Sequence, residues 1–355
     1  MYQLGILKGD DIGLEVVPAA VQVLQAALQG FPDVQVKWAD LPVGYPSYLQ
    51  NGETLPQHTM EALKSMDGWI LGPIGHAAYP KNDPKAINPH PIIRRVFDLH
   101  SNIRPSRSYP SVTSIHKNVD LILVRENNEG FQPDRNLFAG SGEFMPNPDL
   151  AMSVRVISRR NSEAVAETAF RLAQKRKKKV SVLHKNTVFK LGCGLFVESC
   201  RNIGEKFPEV EYEEIHVDTA AALLVMNPQK FDVLVTTNMF GDILSDLTSG
   251  LVGGLGMAPG LCIGPKYSMA QATHGSAPDI AGKQLANPYA MIMSGKMLIE
   301  WLGIKYNDSS LMMAAQRIDE AVSTVIELGT VTPDMGGKAM TREMTEAICA
   351  SLEKN

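Results

Sequence analysis

Apolar residues along this chain recur at two spacings, and the spacings alternate. Val17, Ala20, Val21, Leu24, Ala27 and Leu28 repeat at helical period, predicting a helix over 13–30 with Pro18 in its first turn and Gly30 at its end. Residues 66–71 predict a strand closed by Gly72 and Pro73, and 119–124 form an unbroken apolar run, as a strand buried on both faces requires. A helix over 162–175 precedes a strand over 180–183, and a strand over 231–236 precedes a helix over 242–251. Helices over 287–302 and 309–328 follow. Such alternation predicts an α/β fold with a largely parallel or mixed sheet flanked by helices. Residues 131–149, rich in Gly, Pro, Asn and Asp, predict an extended loop or arm.

At 355 residues the chain suits two lobes better than one core. A net charge of -4 argues against nucleic acid or an anionic membrane surface as the main partner. No apolar run approaches the roughly 18 residues that span a bilayer. The start, Met1-Tyr2-Gln3-Leu4-Gly5-Ile6-Leu7, has neither the basic-then-apolar pattern of a signal peptide nor an Arg-rich transit segment, so a cytoplasmic location is expected. Cys193, Cys200, Cys262 and Cys349 lack CxxC spacing and are expected as small hydrophobes in a reducing compartment. The basic run 175–179 could mark nucleic-acid binding or localisation, but it falls where a helix C-terminus precedes a strand, and cations are favourable there.

The glycine-rich stretches do not form G-x-G-x-x-G. Gly254-Leu255-Gly256 is followed by Pro259 at the third glycine's place. A dinucleotide bound here would need a different loop. The strongest chemical signal is Asp242 and Asp246, four apart on a helix and therefore on one face. Paired carboxylates suit Mg2+ or Mn2+; the ordinary alternative is two aspartates at a helix N-terminus, where the dipole favours them. Arg94, Arg95, Arg104, Arg107 and Arg125 form a cationic cluster, and Arg125 ends a strand on the side where α/β sheets usually bind ligands. Guanidinium forks match carboxylates, so an anionic substrate is indicated. Lys185 follows the strand at 180–183, and close cations favour the neutral amine that a general base requires.

These residues fall into blocks that resemble the β-decarboxylating dehydrogenases of isocitrate, isopropylmalate, homoisocitrate and tartrate/D-malate. The blocks are Asn102-Ile103-Arg104-Pro105, Val124-Arg125-Glu126-Asn127, His184-Lys185-Asn186, residues 238–246, and residues 274–283 beginning His274-Gly275-Ser276-Ala277-Pro278-Asp279-Ile280. The resemblance implies a two-domain fold that is not a Rossmann fold. Residues 1–100 with 250–355 would form the larger, cofactor-binding domain. Residues 101–249 would form the smaller domain for substrate, metal and dimerisation, with an arm near 131–157. It also implies a homodimer with shared active sites. Arg94, Arg104 and Arg125 would clamp the hydroxy acid, and Asp242, Asp246 and the partner subunit's Asp218 would hold Mg2+ or Mn2+. Lys185, also from the partner, would take the hydroxyl proton as hydride leaves. NAD would lie on His274, Gly275, Ser276, Ala277, Asp279, Ile280 and Asn287. Relatives that use NADP carry Lys-Tyr in place of Asp279-Ile280, and Tyr and Arg in place of Pro333 and Gly337.

Three departures from that pattern stand out. Asp11 replaces a glycine in the opening loop, where a positive φ is expected. Phe131 and Gln132 stand where relatives carry an enol-protonating tyrosine. Ahead of Arg94, Asn88 and His90 are polar where isopropylmalate enzymes have leucines, so an isocitrate-like substrate is preferred. Isopropylmalate, tartrate or D-malate remain alternatives, as does a non-catalytic regulatory subunit.

Overall fold

The computed structural model describes every residue except Pro133, Arg135, Phe138 and Asn355, so the segment expected as an arm lies partly outside the described residues. Among the described residues twelve strands form: β1 (Tyr2–Leu7), β2 (Val36–Asp40), β3 (Gly68–Leu71), β4 (Ser101–Arg107), β5 (Asp120–Glu126), β6 (Glu143–Asn147), β7 (Leu150–Ser153), β8 (Lys179–His184), β9 (Glu211–His216), β10 (Val233–Thr236), β11 (Leu261–Ile263) and β12 (Ser268–Ala270). The helices are α1 (Gly13–Gln29), α2 (Gly44–Asn51), α3 (Gln57–Leu63), α4 (Pro89–Val96), α5 (Arg159–Gln174), α6 (Gly192–Gly204), α7 (Val217–Met226), α8 (Asn238–Val252), α9 (Tyr289–Tyr306), α10 (Ser309–Glu327) and α11 (Thr341–Lys354).

Ten strands share one sheet, in the order β2-β1-β3-β12-β11-β4-β5-β10-β8-β9. The outer pairings are parallel, but β12–β11, β11–β4 and β4–β5 are antiparallel, which makes the sheet mixed. Strands from 1–100 and 250–355 fill one half of that order and strands from 101–249 the other. The strands around β5 and β8 read as continuous apolar runs because helices cover both faces; Val180, Val182, Leu183, Leu121, Leu123 and Val124 are buried. One apolar cluster packs α1, α9, α10 and α11 together, a second packs α5 and α6 on β8 and β10, and a third surrounds Trp69.

Several local expectations are refined. Pro18 falls in the second turn of α1, not the first. Within the expected arm near 131–157, β6 and β7 pair as an antiparallel hairpin. The basic run ends α5 as anticipated, but specific partners hold it: Arg176 bridges Asp120 and Asp232, and Lys179 meets Glu211 and Glu213. All four cysteines are free. Among the described residues no helix is long and apolar enough to cross a membrane.

Candidate active site

Period-two alternation selects the arginines that can act together. Arg104 in β4 and Arg125 in β5 face α8, whereas Arg107, an odd number of residues from Arg104, points to the reverse face and pairs with Asp319 at 3.1 Å. Arg95 is exposed beside Arg94 and joins no cluster partner. Arg104 and Arg125 are buried, at 6% and 5% exposure. Gly241 allows α8 to lie directly against Arg125, because an added Cβ would stand 2.6 Å from the Arg125 Cγ.

Arg125 ion-pairs with Asp242 and donates through Nε and Nη2 to Asn238 Oδ1, at 3.2 and 2.7 Å. Arg104 meets Asp242 at 3.2 Å, Asp246 at 3.9 Å and Ser245 Oγ at 2.6 Å. Burial and the neighbouring Arg104 guanidinium push Arg125 down to about 9, which leaves it charged at neutral pH. Burial raises Asp246 above the ordinary carboxylate value, and the adjacent Asp242 adds to this. Helix α8 starts at Asn238, so the two aspartates lie beyond its first turn, where the helix dipole has largely faded. Simple N-terminal decoration therefore explains them poorly. Both carboxylates are about half exposed and share a face, an oxygen-only donor set that fits Mg2+ or Mn2+ completed by water and ligand oxygens.

Lys185 and Asp218 form a separate pair. Lys185 Nζ donates to Asp218 Oδ1 at 2.7 Å, and that ammonium holds the Asp218 carboxyl below its usual value. Among the described residues of one chain, no group of three acidic, histidine or cysteine side chains is arranged to hold a metal ion. One chain thus brings together Asp242 and Asp246 with the arginines, and Lys185 with Asp218, as two half-sets. Exposed apolar residues flank both: Val188, Phe189 and Leu191 follow Lys185, Val225 and Met226 end α7, and Met239 and Ile243 border Asp242.

Residues 274–283 form an open loop against the chain's opening turn. Ile12 N–H donates to the Ser276 carbonyl at 3.2 Å and Gly282 N–H to Glu15 at 2.5 Å. Asp11 adopts φ +48°, as anticipated. Gly75 closes the same corner, since a Cβ there would stand 2.9 Å from both Asp11 Oδ2 and Ser276 Oγ. Ala277 also has positive φ, while Gly275 and Asp279 are exposed and Ile280 packs on the core. His274 has a buried Nε2 without a hydrogen-bond partner, and burial lowers its imidazole below the ordinary value. Asn287 sits differently from the exposed loop: it is buried, donates to Asp334 at 2.9 Å and accepts from the Tyr289 N–H at 2.9 Å at the start of α9.

Asn88 caps α4, its Oδ1 accepting from the His90 N–H at 3.1 Å. His90 and Arg94, one turn apart on α4, both meet Gln271. Sequence reasoning missed Gln271 and Asn238. Gln271 directly follows β12 and Asn238 lies two residues past the end of β10, and that position near a strand end is the signal that could have found them. Gln132 donates to Asn238 Oδ1 at 3.1 Å, so it joins the Arg125 network. Phe131 packs on Phe189 and under Arg155, 5.7 Å from the guanidinium carbon.

A mixed sheet on which arginines and a carboxylate pair meet on one face of the central strands, with no glycine fingerprint, defines an α/β protein with a site for an anionic ligand, distinct from a Rossmann fold. The model of the family described as isocitrate/isopropylmalate dehydrogenase matches residues 3–348, and the chain belongs to that family. It is 39% identical over 353 residues to an isocitrate/homoisocitrate dehydrogenase of Thermus thermophilus, covering 99% of both chains. It is 36% identical to a 3-isopropylmalate dehydrogenase of Archaeoglobus fulgidus, over 99% of this chain and 100% of that one. Its fold matches the crystal structure of isocitrate dehydrogenase from Methylococcus capsulatus with a TM-score of 0.87 at 37% identity, covering 99% of each chain. The protein is therefore an enzyme, a dehydrogenase of the kind that oxidises and decarboxylates hydroxy acids.

Proposed function

We propose that this enzyme oxidises and decarboxylates an isocitrate-like 2-hydroxy acid with a carboxylate at C3, using NAD and Mg2+ or Mn2+, as a cytoplasmic homodimer. The observation that carries the reading is the ion-pair web of Arg104 and Arg125 with Asp242 and Asp246. Two buried guanidiniums compensated mainly by two half-exposed aspartates serve no packing purpose and are costly to maintain. They make sense as a receptor for a ligand that supplies carboxylates.

Asp242 and Asp246 would hold the divalent ion, together with the partner subunit's Asp218. Held there, a divalent ion would supply Lewis-acid chemistry to the substrate oxygens and would stabilise the negative charge left by loss of the C3 carboxylate as CO2. Arg94, Arg104 and Arg125 would orient the substrate carboxylates and exclude water from their buried side. Lys185 of the partner subunit would take the C2 hydroxyl proton while hydride passes to the nicotinamide. The exposed apolar segments beside Lys185 and Asp242 support burial of both half-sets at a dimer interface. Asp279 would accept hydrogen bonds from the adenosine ribose hydroxyls and repel a 2′-phosphate, which favours NAD over NADP. Polar Asn88 and His90 favour isocitrate over an isopropyl-bearing substrate.

The test is a panel with purified protein, Mn2+ and NAD or NADP against D-isocitrate, homoisocitrate, 3-isopropylmalate, D-malate and both tartrates, read as NADH or NADPH absorbance. Greatest catalytic efficiency with 3-isopropylmalate would overturn the substrate assignment.

A further inference from the structure

Arg155 lies two residues past β7, beside the bridge between Gly130 and Val156, and its side chain touches the segments that carry both half-sets of its own chain. Its guanidinium carbon stands 4.7 Å from the centre of the Phe189 ring, 5.5 Å from that of Phe240 and 5.7 Å from that of Phe131. Nη2 donates to Thr237 Oγ1 at 3.1 Å, and Nη1 donates to Cys193 Sγ at 3.4 Å. Cys193 Sγ also accepts from the Lys185 N–H at 3.4 Å, and the Phe189 N–H donates to the Lys185 carbonyl at 2.9 Å. Phe189 and Cys193 therefore brace the backbone on either side of the Lys185 peptide. Thr237 immediately precedes α8, and Phe240 lies in its first turn, two residues ahead of Asp242. Asn238, next to Thr237, accepts from Arg125. One planar guanidinium thus joins the Lys185 segment to the start of α8. A lysine ammonium would keep charge against the rings but lacks the rigid fork that donates in two fixed directions.

We infer that Arg155 is a positioning residue that serves both active sites of the dimer at once. This rests on the proposed function, in which the Asp242 and Asp246 of a subunit complete one site and its Lys185 and Asp218 complete the other. The two half-sets of one chain then serve different sites, and a rigid link between them spans both. On one side Arg155 sets where Lys185 stands for proton transfer. On the other it sets the start of α8, and with it Asp242 and the Asn238 that holds Arg125. Displacing a reacting group by about 1 Å can cost on the order of a hundredfold in rate, so loss of two anchors on each segment is enough to register. The two sides fail differently: a displaced Lys185 slows the chemical step, whereas a displaced α8 weakens metal and substrate binding.

The test uses mixed dimers with one working site, purified by two tags. A Lys185→Ala subunit supplies α8 to that site, and an Asp246→Asn subunit supplies Lys185. Arg155→Met is placed in one subunit or in the other, and NAD, Mn2+ and D-isocitrate are the ligands; if the substrate panel selects another acid, that acid replaces D-isocitrate. In the subunit supplying Lys185, Arg155→Met should lower the single-turnover rate of NADH formation about tenfold, with half-saturating Mn2+ and substrate changed less than about threefold. In the subunit supplying α8, it should raise those half-saturating concentrations about tenfold, with the rate at saturation changed less than about threefold. Arg155→Lys should recover part of both effects. A loss confined to one placement, or losses of the same kind in both, would overturn the assignment and leave the shared sites standing. Circular dichroism and melting of the Arg155→Met homodimer check its fold; if it does not fold, Arg155→Lys is placed in the same two positions and the same asymmetry decides. An inactive mixed dimer with Arg155 intact would overturn the shared-site reading itself, and the two-site role of Arg155 with it.

Discussion

Mixing two inactive variants should restore activity. Lys185→Ala removes the ammonium 2.7 Å from Asp218, and Asp246→Asn removes one carboxylate of the α8 pair. Both changes should leave the fold intact: Asp218 and Asp246 side chains are 63% and 53% exposed, and exposed pairs contribute little stability. Loss of a proton-transfer group typically costs about a hundredfold or more in rate, so the Lys185→Ala homodimer should fall to about 1% of wild type or below, and the Asp246→Asn homodimer is assayed at Mn2+ low enough that its weakened metal site stays largely empty. In a mixed dimer one site combines the intact α8 pair of the first subunit with the intact Lys185 of the second. The other site carries both defects. Random reassortment at equal amounts makes about half the dimers mixed, each with one working site of two, so activity should recover to about a quarter of wild type. The assay is NADH formation after dilution, denaturant-assisted exchange and reassembly, with exchange verified by mass spectrometry of differently tagged subunits. Verified mixed dimers that stay at the level of the separate variants would refute the shared-site reasoning.

Exhaustive chelation should abolish turnover, and Asp246→Asn should raise the Mn2+ concentration needed for half-activity about tenfold or more, measured by metal titration with circular dichroism unchanged. Asp279→Lys combined with Ile280→Tyr should move the NADP/NAD ratio of kcat/KM toward NADP, but only partly. An arginine at 337 cannot simply be added, because a Cβ there would collide with the Val331 carbonyl, so Gly337→Arg in that background should destabilise the protein more than it improves NADP use. Glu126, buried against Glu129, is pushed up to about 7. Its folded value exceeds the unfolded one, so its contribution to stability is fully present below about pH 4.5 and is lost as pH rises through about 7. Thermal melts of Glu126→Gln against wild type should therefore diverge between those limits, with the variant losing less on alkalinisation; parallel curves would refute the assignment.

Much of this protein was legible in its sequence, for local reasons. Alternating periods are written in adjacent residues, so the helices at 13–30 and 309–328 and the strands around 122 and 182 followed from spacing alone, give or take a few residues at their ends. The i, i+4 relation of Asp242 and Asp246 is likewise a property of any helix. Strand parity already separated Arg107 from Arg104, had it been applied. What spacing could not supply was long-range pairing. Residues 131–149 lack apolar alternation, so β6, one strand of the hairpin with β7, had no local signature. The Gln271 amide reaches Arg94 across 177 positions, and Asn238 reaches Arg125 across 113. The first of those meetings depends on β12 and β11, from late in the chain, inserting between the consecutive strands β3 and β4, parallel to one and antiparallel to the other, a choice made by burial summed over the whole sheet. The sequence by itself determined which elements form and which residues carry chemistry. Only the tertiary structure decided that Arg125 and Asp242 share one site, that Lys185 pairs with Asp218 apart from it, and that Arg94 donates to the uncharged Gln271, because hydrogen bonds and ion pairs form between neighbours in space whatever their separation along the chain.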